Sequence, residues 1–269
     1  IDYSSFDIIV VNNDANNHGE TLKREFPDIL LIQNESNAGF AEGNNVGIRA
    51  ALKNDQTDAV LILNNDTEVE SGFLNEMART LNSPSSTEEG VRGWSGGGDM
   101  IAGRMMQYSD HDKVDNLGVV MMKSGLPFNR RDEKQKLFCP SAGCALYTRK
   151  LLEAVAYTRQ SPLPSGEGKG EGQKYYFDRM YFMYAEDVDL GFRGRLLGFE
   201  AGYAKDAVVF HKGSASSSKL SDLAVYNTYR NLVWTQYKNY PVTLFLRHLF
   251  WLILGWNLIF WGYVLKGRP

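Results

Sequence analysis

The feature that most constrains the fold is a set of short apolar runs that each stop at asparagine or aspartate. Phe6 to Val11 (FDIIVV) ends in Asn12, Asn13 and Asp14, Ile29 to Gln33 ends at Asn34, and Ala59 to Leu63 (AVLIL) ends in Asn64, Asn65 and Asp66. Continuous runs rich in β-branched residues read as strands buried on both faces, and Asn and Asp end them with turns. Between the runs, Thr21 to Phe26 (closed by Pro27) and Phe40 to Leu52 read as helices, the latter turning Val46, Ile48 and Leu52 inward. A further helix is expected from Gly72 to Leu81 with Ser71 as its N-cap. Strands that alternate with helices in this way predict an α/β fold. Its sheet is expected to be mainly parallel and Rossmann-like, with helices on both faces.

The second half has a different texture. Met100 to Tyr108, Val114 to Met122 and Phe138 to Tyr147 read as strands of a mixed portion. A helix follows around Asp187 to Leu197, then extended segments at Ala201 to Ala204 and Ala207 to Phe210. Stretches 82–98 and 161–173, rich in Ser, Gly and Pro, read as surface loops. The expected organisation is a domain over 1–238, divided into a ligand-binding half (1–98) and a catalytic half (99–238), followed by a hydrophobic tail (239–269). In that tail, Leu249 to Leu265 (LFWLILGWNLIFWGYVL) carries only Asn257 as a strongly polar residue, so the helix is apolar all round. Arg247 and His248 before it and Lys266 and Arg268 behind it suit membrane interfaces, and membrane contact is expected through 244–265.

Charge narrows the partners. The net charge of −3 comes from basic and acidic residues scattered along the chain. Nucleic acid is therefore not an expected partner, because a phosphate-tracking surface needs a basic block. Cys139 and Cys144 have no His or Cys neighbours at zinc spacing and read as buried thiols in a reducing compartment.

In an open α/β sheet, ligands bind beyond the carboxyl ends of the strands, where the three Asn/Asp clusters stand. Asp66, at the end of a buried strand, suits a divalent cation that neutralises a diphosphate. Asn37 to Asn45, with Gly39 and Gly43, runs into a helix start whose N–H groups favour anions. Glu186, Asp187 and Asp189 lie in the first turn of a helix, where a carboxylate can take a proton from a hydroxyl. His211 ends a strand and can complete a metal site through one imidazole nitrogen.

The segments NESNAGFAEGNNVGI, LILNNDTEVE, YFMYAEDVDLGFRGRLLGF and AVVFHKGSAS, in this order, resemble glycosyltransferase family 2 over roughly residues 6–235. They are most similar to its rhamnosyltransferase-like branch, which builds bacterial surface polysaccharides. The resemblance implies a GT-A fold, a nucleotide-diphosphate sugar donor (dTDP-, UDP- or GDP-linked), Mn2+ or Mg2+, and inversion at the anomeric carbon. It implies a glycan or lipid-linked acceptor and a place at the cytoplasmic face of a membrane. By motif, Asp187 matches the catalytic base, Glu186 a residue positioning acceptor or base, and Asp66 and His211 the metal site. Asn12, Asp14, Asn37, Gly39, Phe40, Asn44, Asn45, Asn64 and Asn65 match the donor side, and Gly143 (in SAGCALYTRK) and Asp189 the acceptor side. Asn12 stands where the family usually has Asp, and the strand and helix that usually precede Phe6 are expected to be missing. Two rival readings follow: a transferase fold that only binds, and a nucleotidyltransferase. The latter usually needs a basic Gly-rich loop, which the sequence lacks near its first strand.

Overall fold

The computed structural model describes residues 2–13, 18–83, 97–158, 172–213 and 222–265. The loops expected at 82–98 and 161–173 fall almost wholly outside these residues, as do Asp14, Lys266 and Arg268. The first part of the chain runs β1 (Ile9–Asn12), α1 (His18–Glu25), β2 (Leu30–Gln33), α2 (Gly39–Ala51), β3 (Ala59–Leu63), β4 (Thr67–Val69) and α3 (Phe73–Leu81). The middle holds β5 (Met100–Gln107), β6 (Asp110–Asn116), β7 (Val119–Met121), β8 (Pro127–Asn129), β9 (Cys144–Thr148) and α4 (Arg149–Val155). The rest comprises β10 (Tyr157–Thr158), β11 (Lys174–Tyr175), a 3₁₀ turn (Arg179–Tyr181), α5 (Glu186–Leu196), β12 (Ala201–His211), α6 (Asp222–Asn239) and α7 (Val242–Leu265).

The central sheet has the order β3-β9-β5-β12-β4, with β6 paired to β5. Period-2 alternation divides its side chains between two cores. Met100, Ala102, Ala145 and Tyr147 face a core shared with Ile48, Leu151 and Leu190, from α2, α4 and α5. Ile101, Cys144 and Leu146 face the other way, onto Phe73 and Met77 of α3. Helices thus cover both faces, as the buried runs require. Both cysteines are free and buried, and burial pushes the Cys144 thiol up to about 12.

The α/β class is as expected, but the sheet is mixed rather than mainly parallel. Within the central sheet only β5 and β12 run parallel, while β3–β9, β5–β9, β4–β12 and β5–β6 are antiparallel. The physical reason is that β4 doubles back against β12 and β9 enters between β3 and β5, reversed against both. β1 and β2 form a separate parallel pair. The expected halves 1–98 and 99–238 share one sheet, since β3 and β4 pair with β9 and β12.

Other expectations shift for local reasons. Gly72, not Ser71, occupies the N-cap of α3, with no side-chain cap bond. The strand expected over 114–122 is cut at Gly118, whose φ of +105° breaks β6 from β7. Asn116 Oδ1 secures that corner by accepting from Gly118 N at 2.7 Å. The two segments expected at 201–204 and 207–210 are one strand, β12, with a register shift between Ala204 and Val208.

At the C-terminal end, α7 is long and apolar enough to cross a membrane by length and composition, at 24 residues. It rests on the β7–β8 hairpin at Gly255, where an added Cβ would lie 2.7 Å from Ser124 Cβ. Trp256 Nε1 donates to Gln236 Oε1 of α6 at 2.9 Å. Most of its large apolar side chains, among them Phe250, Ile253, Leu258, Phe260 and Trp261, are exposed. Packing against this domain therefore does not account for their hydrophobicity.

Candidate active site

Two carboxylates open α5. Asp187 Oδ2 accepts from Ala142 N at 3.0 Å and Oδ1 from Val188 N at 2.8 Å. Burial pushes its carboxyl above the ordinary range, and these N–H donors oppose the shift without cancelling it. Glu186 is buried, its Oε2 has no partner among the described residues, and burial followed by the neighbouring Asp187 charge pushes it well up. The two carboxyls disfavour each other's ionisation, and the backbone donors on Asp187 make it the better stabilised of the two as an anion.

The strand expected over Phe138 to Tyr147 begins only at Cys144, because the preceding residues turn to meet this site. Ala142 donates to Asp187, and Gly143 O accepts from Asn64 N at 3.0 Å. A Cβ on Gly143 would stand 3.5 Å from Asn64 Nδ2 and 3.2 Å from Met105 Cε. This one turn therefore joins the end of β3 to the start of α5, bringing Asn64 and Gly143 beside Asp187.

A second cluster forms where β3, β6 and β12 end. Asp66 lies between β3 and β4, and its backbone oxygen accepts from Lys212 N at 2.8 Å. Its Oδ2 stands 3.3 Å from His211 Nε2. On the other side of the imidazole, Nδ1 is 2.8 Å from Asp115 Oδ2. The Asp115 hydrogen bond, with the Asp66 charge behind it, raises the His211 pKa despite partial burial. A carboxylate oxygen and an imidazole nitrogen this close can share one cation, and a carboxylate on the far nitrogen orients the ring for that task. Among the described residues no group of three or more His, Cys, Asp and Glu side chains could hold a metal ion. Asp66 and His211 are the side chains here close enough to share one cation.

The loop that leads into α2 is built by its asparagines. Asn37 Oδ1 accepts from Gly39 N at 2.9 Å, and Gly39 takes φ +79°. Asn13 Nδ2 donates to Gly39 O at 3.0 Å, and Asn34 Nδ2 to Asn13 Oδ1 at 2.6 Å, which ties the ends of β1 and β2 to α2. Asn12 Nδ2 donates to Gln33 Oε1 at 2.8 Å. Phe40 packs against the main core, and Asn65 is exposed.

Three expected site residues make scaffold contacts. Asn45 is fully buried, its Oδ1 accepting from Tyr176 N and Phe177 N and its Nδ2 donating to Phe177 O, so its amide faces no ligand. Asn44 Nδ2 donates to Phe40 O, one turn back in its own helix. Asp189 is fully buried against Arg193, Lys238 and Asn239, which ties α5 to α6 and turns it from any acceptor. Asp14 lies outside the described residues. Sequence reasoning missed Asp115, which is 96 residues from His211 in the chain and sits in a strand without apolar patterning.

The fold is of the GT-A glycosyltransferase type, as its likeness to solved structures shows. The family model described as glycosyl transferase family 2 matches residues 2–156, and the chain belongs to that family. A curated relative is the low-salt glycan biosynthesis hexosyltransferase Agl10 of Haloferax volcanii, 24% identical over 208 residues, covering 76% of this chain and 59% of that protein. The chain thus spans well under two thirds of that relative's length. Similar solved structures include GalNAc-T7 with UDP, GalNAc and Mn2+, with a TM-score of 0.55, 12% identity, and coverage of 86% of this chain and 41% of that one. Another is the mannosyltransferase PcManGT of Pyrobaculum calidifontis with GDP-Man and Mn2+, with a TM-score of 0.55, 15% identity, and coverage of 91% and 59%. At these identities the structural likeness establishes the fold.

Proposed function

We propose that the chain is an inverting glycosyltransferase that moves a sugar from a nucleotide-diphosphate donor to an acceptor hydroxyl. The observation that carries this reading is the geometry around Asp187. An aspartate with a raised pKa stands at a helix start, oriented by Ala142 N and joined through Gly143 to the strand end bearing Asn64. Asp187 takes the acceptor proton while the acceptor oxygen bonds to the anomeric carbon. The bond from that carbon to the diphosphate breaks, and its electron pair leaves with the nucleoside diphosphate. General-base help of this kind is worth roughly 10²–10⁴-fold.

Asp66 and His211 would hold a divalent cation, which when bound supplies charge stabilisation for the departing diphosphate. An imidazole in the donor set favours Mn2+ over Mg2+. Asp115 would keep the metal-facing nitrogen of His211 correctly oriented. Asp115→Ala should weaken Mn2+ binding about 10–100-fold, and Asp115→Asn, which can still accept from Nδ1–H, by less. Titration of Mn2+ followed by electron paramagnetic resonance reads this directly, and equal affinity in the alanine variant removes Asp115 from the site.

The family's rhamnosyltransferase-like branch, a hexosyl or deoxyhexosyl donor, and a glycan or lipid-linked acceptor of surface polysaccharide or glycolipid synthesis complete the reading. The exposed apolar faces of α7 support contact with a membrane, the cytoplasmic face being what the family resemblance implies, and the Haloferax volcanii relative is named for glycan biosynthesis. The experiment is a binding screen of UDP, dTDP, GDP and CMP with and without Mn2+, followed by transfer from the matching sugar nucleotides. Metal-dependent binding of one nucleotide with transfer of its sugar is the expected result. Metal-dependent binding without transfer to any glycan or lipid acceptor would favour a protein that only binds.

A further inference from the structure

The backbone just ahead of the two carboxylates is held in conformations that side-chain-bearing residues rarely adopt. Phe182 has φ 61°, Tyr184 φ 71° and Ala185 φ 63°, and none of them is glycine. Phe182 combines its φ with ψ −61°, and Met183 N donates to Tyr181 O at 2.7 Å across it. That is a γ-turn of the rare, strained kind. Ala185, with ψ 6°, is the N-cap of α5 and immediately precedes Glu186. Such a segment persists only where its surroundings over-determine it.

The surroundings here come mainly from α6. Asn231 is fully buried, and its Nδ2 lies 2.9 Å from Tyr181 O, 2.9 Å from Met183 O and 2.8 Å from Tyr184 O, its two N–H groups serving three carbonyls with one shared. Its Oδ1 accepts from Arg230 Nε at 2.9 Å, which orients the amide with nitrogen toward the loop. Arg230 Nη2 also reaches Met180 O at 3.2 Å and Tyr181 O at 3.1 Å. From the opposite side, Ala41 N donates to Phe182 O at 3.1 Å. A Cβ on Gly39 would lie 2.6 Å from that same oxygen, so the donor-side loop and α6 grip the segment between them. Every carbonyl from Met180 to Tyr184 is engaged.

We infer that Asn231, oriented by Arg230, is a positioning residue for Asp187, an inference that rests on the reading of Asp187 as the base. By gathering three carbonyls onto one amide it fixes where α5 begins and therefore where the Asp187 carboxylate stands against Ala142 N and the acceptor. Side-chain capping cannot do this work, because Ala185 supplies no cap bond. The donor-side loop touches this segment but also keeps its own bonds, from Gly39 N to Asn37 Oδ1 and from Asn13 Nδ2 to Gly39 O, so loss of Asn231 should affect turnover more than nucleotide binding.

The test compares Asn231→Ala with the wild type in four measurements: kcat, KM for acceptor, Mn2+-dependent nucleotide affinity, and amide hydrogen exchange at 181–187. In the alanine variant, exchange at these amides should quicken and kcat should fall by up to about 100-fold, the loss that a displacement of about 1 Å can cause. Nucleotide affinity should change far less than turnover does. Adding Ala185→Gly, which removes the conformational penalty at that position, should restore part of the lost kcat. A folded Asn231→Ala with unchanged kcat overturns the inference, as does a loss of kcat matched by an equal loss of nucleotide affinity. Should Asn231→Ala fail to fold, Arg230→Gln, which frees the amide and releases two loop carbonyls, is read by the same measurements. Turnover that survives in Asp187→Asn sinks the base assignment instead, a result distinct from any outcome of the Asn231 variants.

Discussion

Asp187→Asn is expected to lose roughly 10²–10⁴-fold in kcat while binding donor nucleotide as the wild type does. The amide keeps the size of the carboxylate and its one oxygen can still accept from Ala142 N, which holds the turn over 141–143, while the bond from Val188 N to the second carboxylate oxygen is lost. What it lacks is an ionised oxygen able to receive the acceptor's proton. Because burial holds the wild-type carboxyl above the ordinary range, the acid limb of its kcat profile should lie at higher pH than an exposed aspartate gives. The base acts only when ionised, so turnover rises with pH through that limb. Stability moves the opposite way. A carboxyl whose folded pKa is raised contributes stability that is present below its unfolded pKa and lost as pH rises through the folded value. Asp187→Asn removes that loss, so its thermal midpoint relative to wild type should improve on going from acid to neutral pH. Stopped-assay rates and thermal melts across the pH range check both parts. A variant with near-normal kcat, or one that loses nucleotide binding together with turnover, excludes the base assignment.

Much of this site was legible because its chemistry sits at places that sequence marks. Asp66 follows the run AVLIL, His211 follows AVVF, and Glu186-Asp187 opens a helix, so apolar runs located them. What did not show was who supports whom. β6 reads DHDKVDN, a charged segment whose default interpretation is a solvated edge, and nothing local tells Asp115 from Asp110 or Asp112. Only the pairing of β5 with both β6 and β12 carries it to His211. α6 carried a stronger hidden signal. Asn227, Asn231, Thr235 and Asn239 recur every fourth residue and are all buried. A polar stripe at helical spacing normally faces water. Here the carbonyls of a strained loop, Tyr181 and Asp189 take the place of water for three of the four.

The same limit explains the errors. Asn45 lies in a glycine- and asparagine-rich segment that looks made for a ligand, yet its amide pins the backbone of residues 176 and 177, 131 and 132 positions away. Strand direction is equally mute in composition. β9, with the sequence CALYT, is as apolar as a parallel strand would be, but it is antiparallel to both neighbours. Burial sets which residues are apolar, and only tertiary pairing sets which way they run.

Asp66→Ala should abolish the metal-dependent part of nucleotide binding. With Asp66 gone, His211 Nε2 loses the oxygen 3.3 Å away, and one imidazole cannot hold a divalent cation against water. The loss in Mn2+ affinity should exceed the roughly 10–100-fold typical of removing an outer partner such as Asp115. Folding should be little affected, since the hydrogen bond that fixes this turn, from Lys212 N, uses the Asp66 backbone oxygen. Nucleotide affinity without metal should hold or rise slightly, because a carboxylate that would repel the diphosphate has been removed. The decisive comparison is a double-mutant cycle with His211→Ala. If both side chains serve one cation, either substitution alone removes most of the metal-dependent affinity, and the pair together costs scarcely more. Losses that add in full would mean that the two residues act on separate features of the donor. A single Asp66→Ala variant that retains metal-dependent binding would place the cation elsewhere.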